Sequence, residues 1–233
     1  MQAVILAGGL GTRLWPLTRE IPKPMAPVAG APYLEHQLKL LARQRIGDIV
    51  LLTGYLGEQI EEYFGDGQRW NLRIHYSREM TPLGTGGALR EARSLLAETF
   101  LVIYGDSYLP IPYAEVLALL EDSRATGVVV VYDNRFGDTS VRKNIALDEQ
   151  CRVIRYNKES MDDPSLTHVE AGVLAFGRRM LDLLPPEGAV SLEKEIFPQL
   201  IARGDLLAYR TQQRFYDIGT PERLLAIQHL FVS

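Results

Sequence analysis

Four short stretches constrain this chain most: Ala3–Leu6, Asp48–Thr53, Phe100–Tyr104 and Val128–Tyr132 carry almost no polar side chains. A strand with one wet face alternates polar and apolar residues. One covered on both faces reads as a continuous apolar run. Helical stretches lie between the runs. Tyr33 to Arg45 places Leu34, Leu38 and Leu41 on one face, and Leu56 to Phe64 does the same with Leu56, Ile60 and Phe64. The glycine-rich stretch Pro82–Leu89 is predicted to run into a helix through about Leu96, a further helix lies near Tyr113–Ser123, and Leu72–Tyr76 alternates as a strand near an edge does. Repetition of strand, loop and helix over the first ~130 residues predicts an α/β fold with a mostly parallel, Rossmann-like sheet flanked by helices.

The first run breaks into Gly8-Gly9-Leu10-Gly11, followed by Thr12, Arg13 and, after two prolines, Lys23. Glycines at the carboxyl end of a strand let backbone N–H groups approach a ligand, and one hydroxyl and two cations stand close by. That is an anion site. A purely structural turn would also explain the glycines alone. The loop is not a Walker A sequence, which needs Gly-Lys-Ser/Thr at its end. Nor is it the dinucleotide fingerprint: Leu14 stands where a third Gly belongs, and Pro16, Pro22, Pro24 and Pro27 prevent the long helix that should follow.

Composition narrows the field. The chain has 233 residues, 46% hydrophobic and 23% charged, enough for one large α/β domain. Lys and Arg number 25 against 29 Asp and Glu, a net charge of −4, so bulk charge argues against nucleic-acid binding. Cys151 is the single cysteine, which rules out an internal disulfide or a Cys-based metal cluster. His36, His75, His168 and His229 share no spacing that suggests a triad or metal cluster. With no basic leader and no apolar run approaching the ~20 residues of a membrane span, the cytoplasm is expected.

Leu6-Ala-Gly-Gly-Leu-Gly-Thr-Arg-Leu-x-Pro-Leu-Thr18, answered by Pro22-Lys-Pro-Met25, resembles the signature of the sugar-1-phosphate nucleotidylyltransferases, the NDP-sugar pyrophosphorylases. Leu83-Gly-Thr-Gly-Gly87 is similar to that family's second nucleotide loop, and Gly105-Asp106 after a strand to its metal-binding aspartate. The resemblance covers nearly the whole chain. It implies the nucleotide-diphospho-sugar transferase, GT-A-like fold as a single domain, 1–233. Residues 1–132 would form a nucleotide half, and 133–233 a sugar-phosphate half with a small β-rich acceptor region built from Asn144–Leu147, Val153–Lys158 and His168–Phe176. The hexapeptide repeats of a C-terminal β-helix are absent from the sequence. Thr220, Pro221 and Glu222 mark the start of a final helix that runs to the C-terminus.

The implied reaction moves a nucleoside monophosphate from a nucleoside triphosphate to a sugar 1-phosphate and releases pyrophosphate. Nucleotide contacts fall on Leu6, Ala7, Gly8, Gly9, Gly11, Thr12, Arg13, Lys23, Gly84, Thr85 and Gly86. Arg13, Lys23 and Asp106 are the implied catalytic residues, with Asp106 and Asp217 holding Mg²⁺. Asn157, Lys158, Glu170 and Gly172 fall on the sugar phosphate. Asn157-Lys158-Glu159, Glu170-Ala-Gly172 and Val141-Arg-Lys-Asn144 depart from the family's usual residues, so the departures gather in the acceptor half. Gly54–Phe64 and Asp217–Glu222 most resemble the heptose- and mannose-1-phosphate guanylyltransferases, which favours GTP; uridylyl, cytidylyl and thymidylyl transfer are the alternatives. A silent regulatory homologue should have lost Arg13, Lys23, Asp106 or Asp217, and all four are present. A glycosyltransferase should carry Asp-x-Asp, where this chain has Asp106-Ser-Tyr108. By analogy the partners are the two substrates and a second copy in a homodimer, with neither nucleic acid nor membrane.

Overall fold

The computed structural model describes residues 1–159 and 163–232. Its strands in chain order are β1 (Gln2–Leu6), β2 (Pro27–Val28), β3 (Ala31–Pro32), β4 (Asp48–Thr53), β5 (Arg73–Arg78), β6 (Thr99–Tyr104), β7 (Ser107–Tyr108), β8 (Gly127–Tyr132), β9 (Ile145–Leu147), β10 (Val153–Tyr156), β11 (Val169–Gly177), β12 (Leu206–Thr211) and β13 (Tyr216–Asp217). The helices are α1 (Tyr33–Arg43), α2 (Gly57–Phe64), α3 (Gly84–Glu91), α4 (Tyr113–Ser123), α5 (Phe197–Ala202) and α6 (Pro221–Val232). Ser233, the end of the predicted last helix, lies outside the described residues.

Among the described residues seven strands form one sheet, in the order β12-β8-β11-β6-β1-β4-β5. All neighbours are parallel except β11, which runs antiparallel between β6 and β8. The unbroken apolar runs are explained by cores on both faces. Ile5, Leu51, Ile103 and Val130 point to one side, where α1, α2 and α4 supply Leu34, Ile60 and Val116. Val4, Val50, Val102 and Val129 point to the other, where α3 and α5 supply Leu89 and Phe197. Each such side chain withdrawn from water stabilises by about 1.5–3 kcal/mol. The alternating stretch predicted near an edge falls in β5, one of the sheet's two edge strands.

Three features differ from expectation. Strand β11 is expected in the small β-rich acceptor region of the same domain but sits inside the main sheet, leaving β9 and β10 as the small ribbon. Apolar content on both faces is compatible with either strand direction, so sequence does not reveal an antiparallel insertion. The helix predicted through Leu96 stops at Glu91 and continues as a 3-10 turn over Arg93–Leu95. The helix predicted near Ser191 opens with a π turn, Leu192–Ile196, before α5. Pro198 at the start of α5 lacks the N–H that regular spacing would use.

The chain goes from β1 to β4 and β5 on one side, then crosses back to place β6 on β1's other side. That reversal opens a crevice at the carboxyl ends of β1 and β6, where open α/β sheets hold ligands.

Candidate active site

A cleft of about 780 Å³ lies at this point, lined by the loop after β1, by Lys23, by the start of α3 and by Tyr104-Gly105-Asp106. Gly105 is fixed by close approach. Its N–H donates to Leu6 O at 2.9 Å, and a Cβ there would stand 2.5 Å from that oxygen. The contact holds Asp106 against the end of β1. In the loop itself Gly11 adopts φ +64°, and its carbonyl accepts the Thr18 hydroxyl at 2.8 Å. A Cβ on Gly8 would stand 2.9 Å from Glu79 Oε1.

Asp106 and Asp217, 111 positions apart in the sequence, are brought together by the short ribbon of β7 and β13. Asp217 pairs with Ser107, and Ile218 N–H donates to Asp106 O at 3.0 Å. Each carboxylate already has a cation. Lys23 Nζ donates to Asp106 Oδ2 at 2.5 Å, and Arg223 Nη1 lies 3.1 Å from Asp217 Oδ2. Gly219 N–H also donates to Asp217 Oδ1, at 2.6 Å. Arg13 Nη1 approaches the same place, 3.6 Å from where a Gly219 side chain would begin. The Tyr33 hydroxyl, within the fields of both aspartates, is fully buried and without a hydrogen-bond partner. Burial first, then the fields of Asp106 and Asp217, holds its pKa well above the usual phenol range. Asp106 on the cleft and Asp217 on the adjoining ribbon, beside an orphaned buried hydroxyl, are the residues that could hold Mg²⁺, which takes one or two protein carboxylates and completes its shell with phosphate and water.

Of the residues expected to meet nucleotide, Leu6, Ala7, Gly8, Gly9, Gly11, Thr12, Arg13, Lys23, Gly84 and Thr85 line the cleft. Gly86 does not. Its N–H and that of Gly87 donate to Val190 O at 2.8 and 3.2 Å, and a Gly86 side chain would run into Leu184. The α3 N-terminus is thus capped by protein and offers these amides to no phosphate. The Thr85 hydroxyl is engaged too, donating to Glu193 at 2.9 Å and accepting from Leu192 N–H at 2.8 Å.

The acceptor-side residues form a second group beside the cleft. Lys158 Nζ is 3.2 Å from Glu170 Oε2 and 3.8 Å from Glu193 Oε1, above the rings of Tyr104 and Tyr156. Burial works against the Lys158 ammonium, but Glu170 and Glu193 override it and hold its pKa above the usual lysine value. Gly172, at φ +76°, packs against Ser107 with 2.3 Å between a would-be Cβ and Ser107 Oγ. Asn157 takes part in a local turn, its Oδ1 accepting from Glu159 N–H at 2.9 Å. Three residues escaped the sequence reading: Arg223, Glu79 and Glu193. Arg223 sits one turn into a helix and Glu193 two residues after Ser191, positions where charged side chains are commonplace, so neither carries a local signal. Glu79 had one in retrospect: it stands just before the glycine-rich loop at Pro82.

A family model described as nucleotidyl transferase matches residues 2–232. A D-glycero-alpha-D-manno-heptose 1-phosphate guanylyltransferase of Campylobacter jejuni is 33% identical over 95% of this chain and 96% of its own length. A mannose-1-phosphate guanylyltransferase of Mycobacterium tuberculosis is 39% identical over 95% of this chain, which spans only 62% of that longer protein. The crystal structure of HddC from Yersinia pseudotuberculosis complexed with GMP-PN superposes with a TM-score of 0.84 at 27% identity, covering 99% of both chains.

Proposed function

On the premise that this chain belongs to the sugar-1-phosphate nucleotidyltransferase family, we propose that it transfers GMP from GTP to a heptose or mannose type of sugar 1-phosphate, releasing pyrophosphate. The observation that carries the reading is the convergence of Asp106, Asp217, Lys23 and Arg13 at the mouth of the β1–β6 crevice.

The reaction brings two anions together, and their repulsion in a partly desolvated site amounts to several kcal/mol unless cations intervene. Lys23 and Arg13 supply fixed positive charge beside the crevice; an incoming triphosphate exchanges Lys23 from Asp106 to phosphate oxygens, and Arg13 neutralises charge as pyrophosphate leaves. Asp106 and Asp217 would hold Mg²⁺, which supplies charge neutralisation and alignment of phosphate oxygens. The glycine loop lets backbone approach the nucleotide closely. No covalent nucleophile is needed, because positioning and charge carry the catalysis.

Glu79 supports GTP. Its carboxylate lines the cleft wall against Gly8 and Gly54, and its Oε2 accepts from Leu83 N–H at 2.9 Å. A carboxylate accepts only, and the guanine edge offers two adjacent donors, N1–H and the 2-amino group. Uracil and thymine offer a single N–H between two carbonyl oxygens, which a carboxylate repels. The names of the Campylobacter and Mycobacterium relatives favour the same base and the sugar type.

The test is pyrophosphate release over a grid of GTP, UTP, CTP and dTTP against hexose and heptose 1-phosphates, with and without Mg²⁺. Activity is expected with GTP and Mg²⁺, and Asp106→Asn should lose at least ~10²-fold, as removal of a preorganised electrostatic element does. Full turnover by Asp106→Asn, or turnover without a divalent ion, would overturn the metal assignment.

A further inference from the structure

The turn that carries Asp106 is held by a helix distant in the sequence. Gln37, in the middle of α1, is buried, with 3% of its surface exposed. Its Nε2 donates to two carbonyls, Tyr104 O at 2.9 Å and Ser107 O at 2.5 Å, one on each side of Gly105-Asp106. The amide thus uses both of its protons on this one turn. Between those contacts Asp106 O accepts from Ile218 N–H at 3.0 Å, and Gly105 N–H donates to Leu6 O. Tyr33, one turn earlier on the same face of α1, brings its hydroxyl within the fields of Asp106 and Asp217.

Packing alone does not explain an amide here. Leu34, Leu38 and Leu41 of the same helix are wholly buried hydrocarbon, and Gln37 Oε1 is buried without a partner. An unsatisfied buried acceptor is destabilising, and an apolar side chain at this position would not carry one. What the amide supplies is direction. Gly105 gives the strand end wide torsional freedom, and the Asp106 carboxylate would move with it. A fork that fixes the carbonyls on both sides removes that freedom before any ligand arrives. Groups that orient a metal-binding side chain contribute to metal affinity without touching the ion. Resting on the reading of Asp106 as a Mg²⁺ residue, we propose that Gln37 is a positioning residue for the ion: its amide clamps the β6–β7 turn so that the carboxylate stays on the cleft.

The experiment titrates Mn²⁺ into the full chain saturated with a non-hydrolysable GTP analogue and reads bound metal by electron paramagnetic resonance. Gln37→Met keeps length and removes both donors. It should weaken Mn²⁺ binding about tenfold, the low end of what loss of such an orienting contact does. Affinity for the analogue in EDTA should stay unchanged, since Arg13, Lys23 and the glycine loop are left intact. Gln44→Met is the control. Gln44 makes the same kind of link near the end of α1, Nε2 to Ile111 O at 2.8 Å and Oε1 from Tyr113 N–H at 2.9 Å, away from the aspartates. It should lower Tm and leave the Mn²⁺ affinity at the wild-type value. Should Gln37→Met not fold, Gln37→Glu carries the test; its protonated form restores one of the two bonds, and Mn²⁺ binding should weaken several-fold. A Gln37 variant that folds and binds Mn²⁺ as wild type does would overturn the proposal, as would an equal loss in Gln44→Met. Failure of the wild type itself to bind Mn²⁺ would instead overturn the metal reading on which the proposal rests.

Discussion

Asp106 and Glu79 are both carboxylates on one cleft, yet their surroundings separate their roles. Asp106 faces Lys23 at 2.5 Å, an ionic partner that a metal or phosphate can displace. Glu79 forms no ion pair among the described residues, and burial raises its pKa, with the Leu83 N–H opposing the rise and Glu91 adding to it. A base reader must be ionised to accept two donors. GTP affinity should therefore weaken as pH falls through a value above glutamate's ordinary one, which a GTP titration between pH 4.5 and 7.5 would measure. Glu79→Gln should flatten that pH dependence. It should also cut the preference for GTP over UTP by about 10–10²-fold, since an amide can donate to a uracil carbonyl. An unaltered base preference would remove Glu79 from base recognition.

Elements matter here mainly for where they end. Strand β11 breaks register between Glu170 and Leu174, a bulge that lets Glu170 turn toward the Lys158 cluster while the rest of the strand stays in the sheet. Gly172 is the pivot. Its φ of +76° suits glycine, and Ser107 fills the space a side chain would need. The ribbon of β7 and β13 works similarly: two residues on each side suffice to bring Asp217 beside the β6 terminus. Gly172→Ala should destabilise the fold by about 1–3 kcal/mol and also depress turnover by displacing Ser107 next to Asp106. A Tm shift with wild-type kcat would show that bulge and site are independent. Legibility differed between elements for the same reason. The helices and parallel strands were readable because periodicity records burial, whereas the bulge, the π turn before α5 and the direction of β11 depend on neighbours far along the chain.

For the whole molecule, a net charge of −4 coexists with Arg13, Lys23 and Arg78 on the cleft, matched there by Glu79, Asp106 and Glu193, so the positive residues are placed locally. The fold also buries His168, whose Nε2 has no hydrogen-bond partner while Nδ1 meets Thr167 Oγ1 at 2.8 Å. Burial is the main cause of its lowered pKa; Asp133 opposes it, and Arg210, Arg135 and Lys143 reinforce it. The unfolded chain thus binds a proton at this position more readily than the folded one. Stability is kept above the ordinary histidine pKa of about 6.5 and is lost as pH falls below it. Urea midpoints at pH 7.5 and 5 should show a smaller acid loss for His168→Gln than for wild type; equal losses would place the acid sensitivity elsewhere. No helix among the described residues is long and apolar enough to cross a membrane.

The sequence by itself determined the parallel core, the glycine loop with Arg13 and Lys23, and the family, because these rest on contiguous residues whose pattern is a direct record of burial and close approach. It also named Asp106 and Asp217, through their likeness to known motifs. Only the tertiary structure decided that β11 enters the sheet backwards, that Val190 takes the Gly86 and Gly87 amides, that Glu79 and Glu193 line the cleft and that Arg223 pairs with Asp217. The physical reason is that such contacts join residues tens to more than a hundred positions apart. A lone charge or carbonyl acquires its partner only when the packed sheet fixes which distant side chain stands opposite.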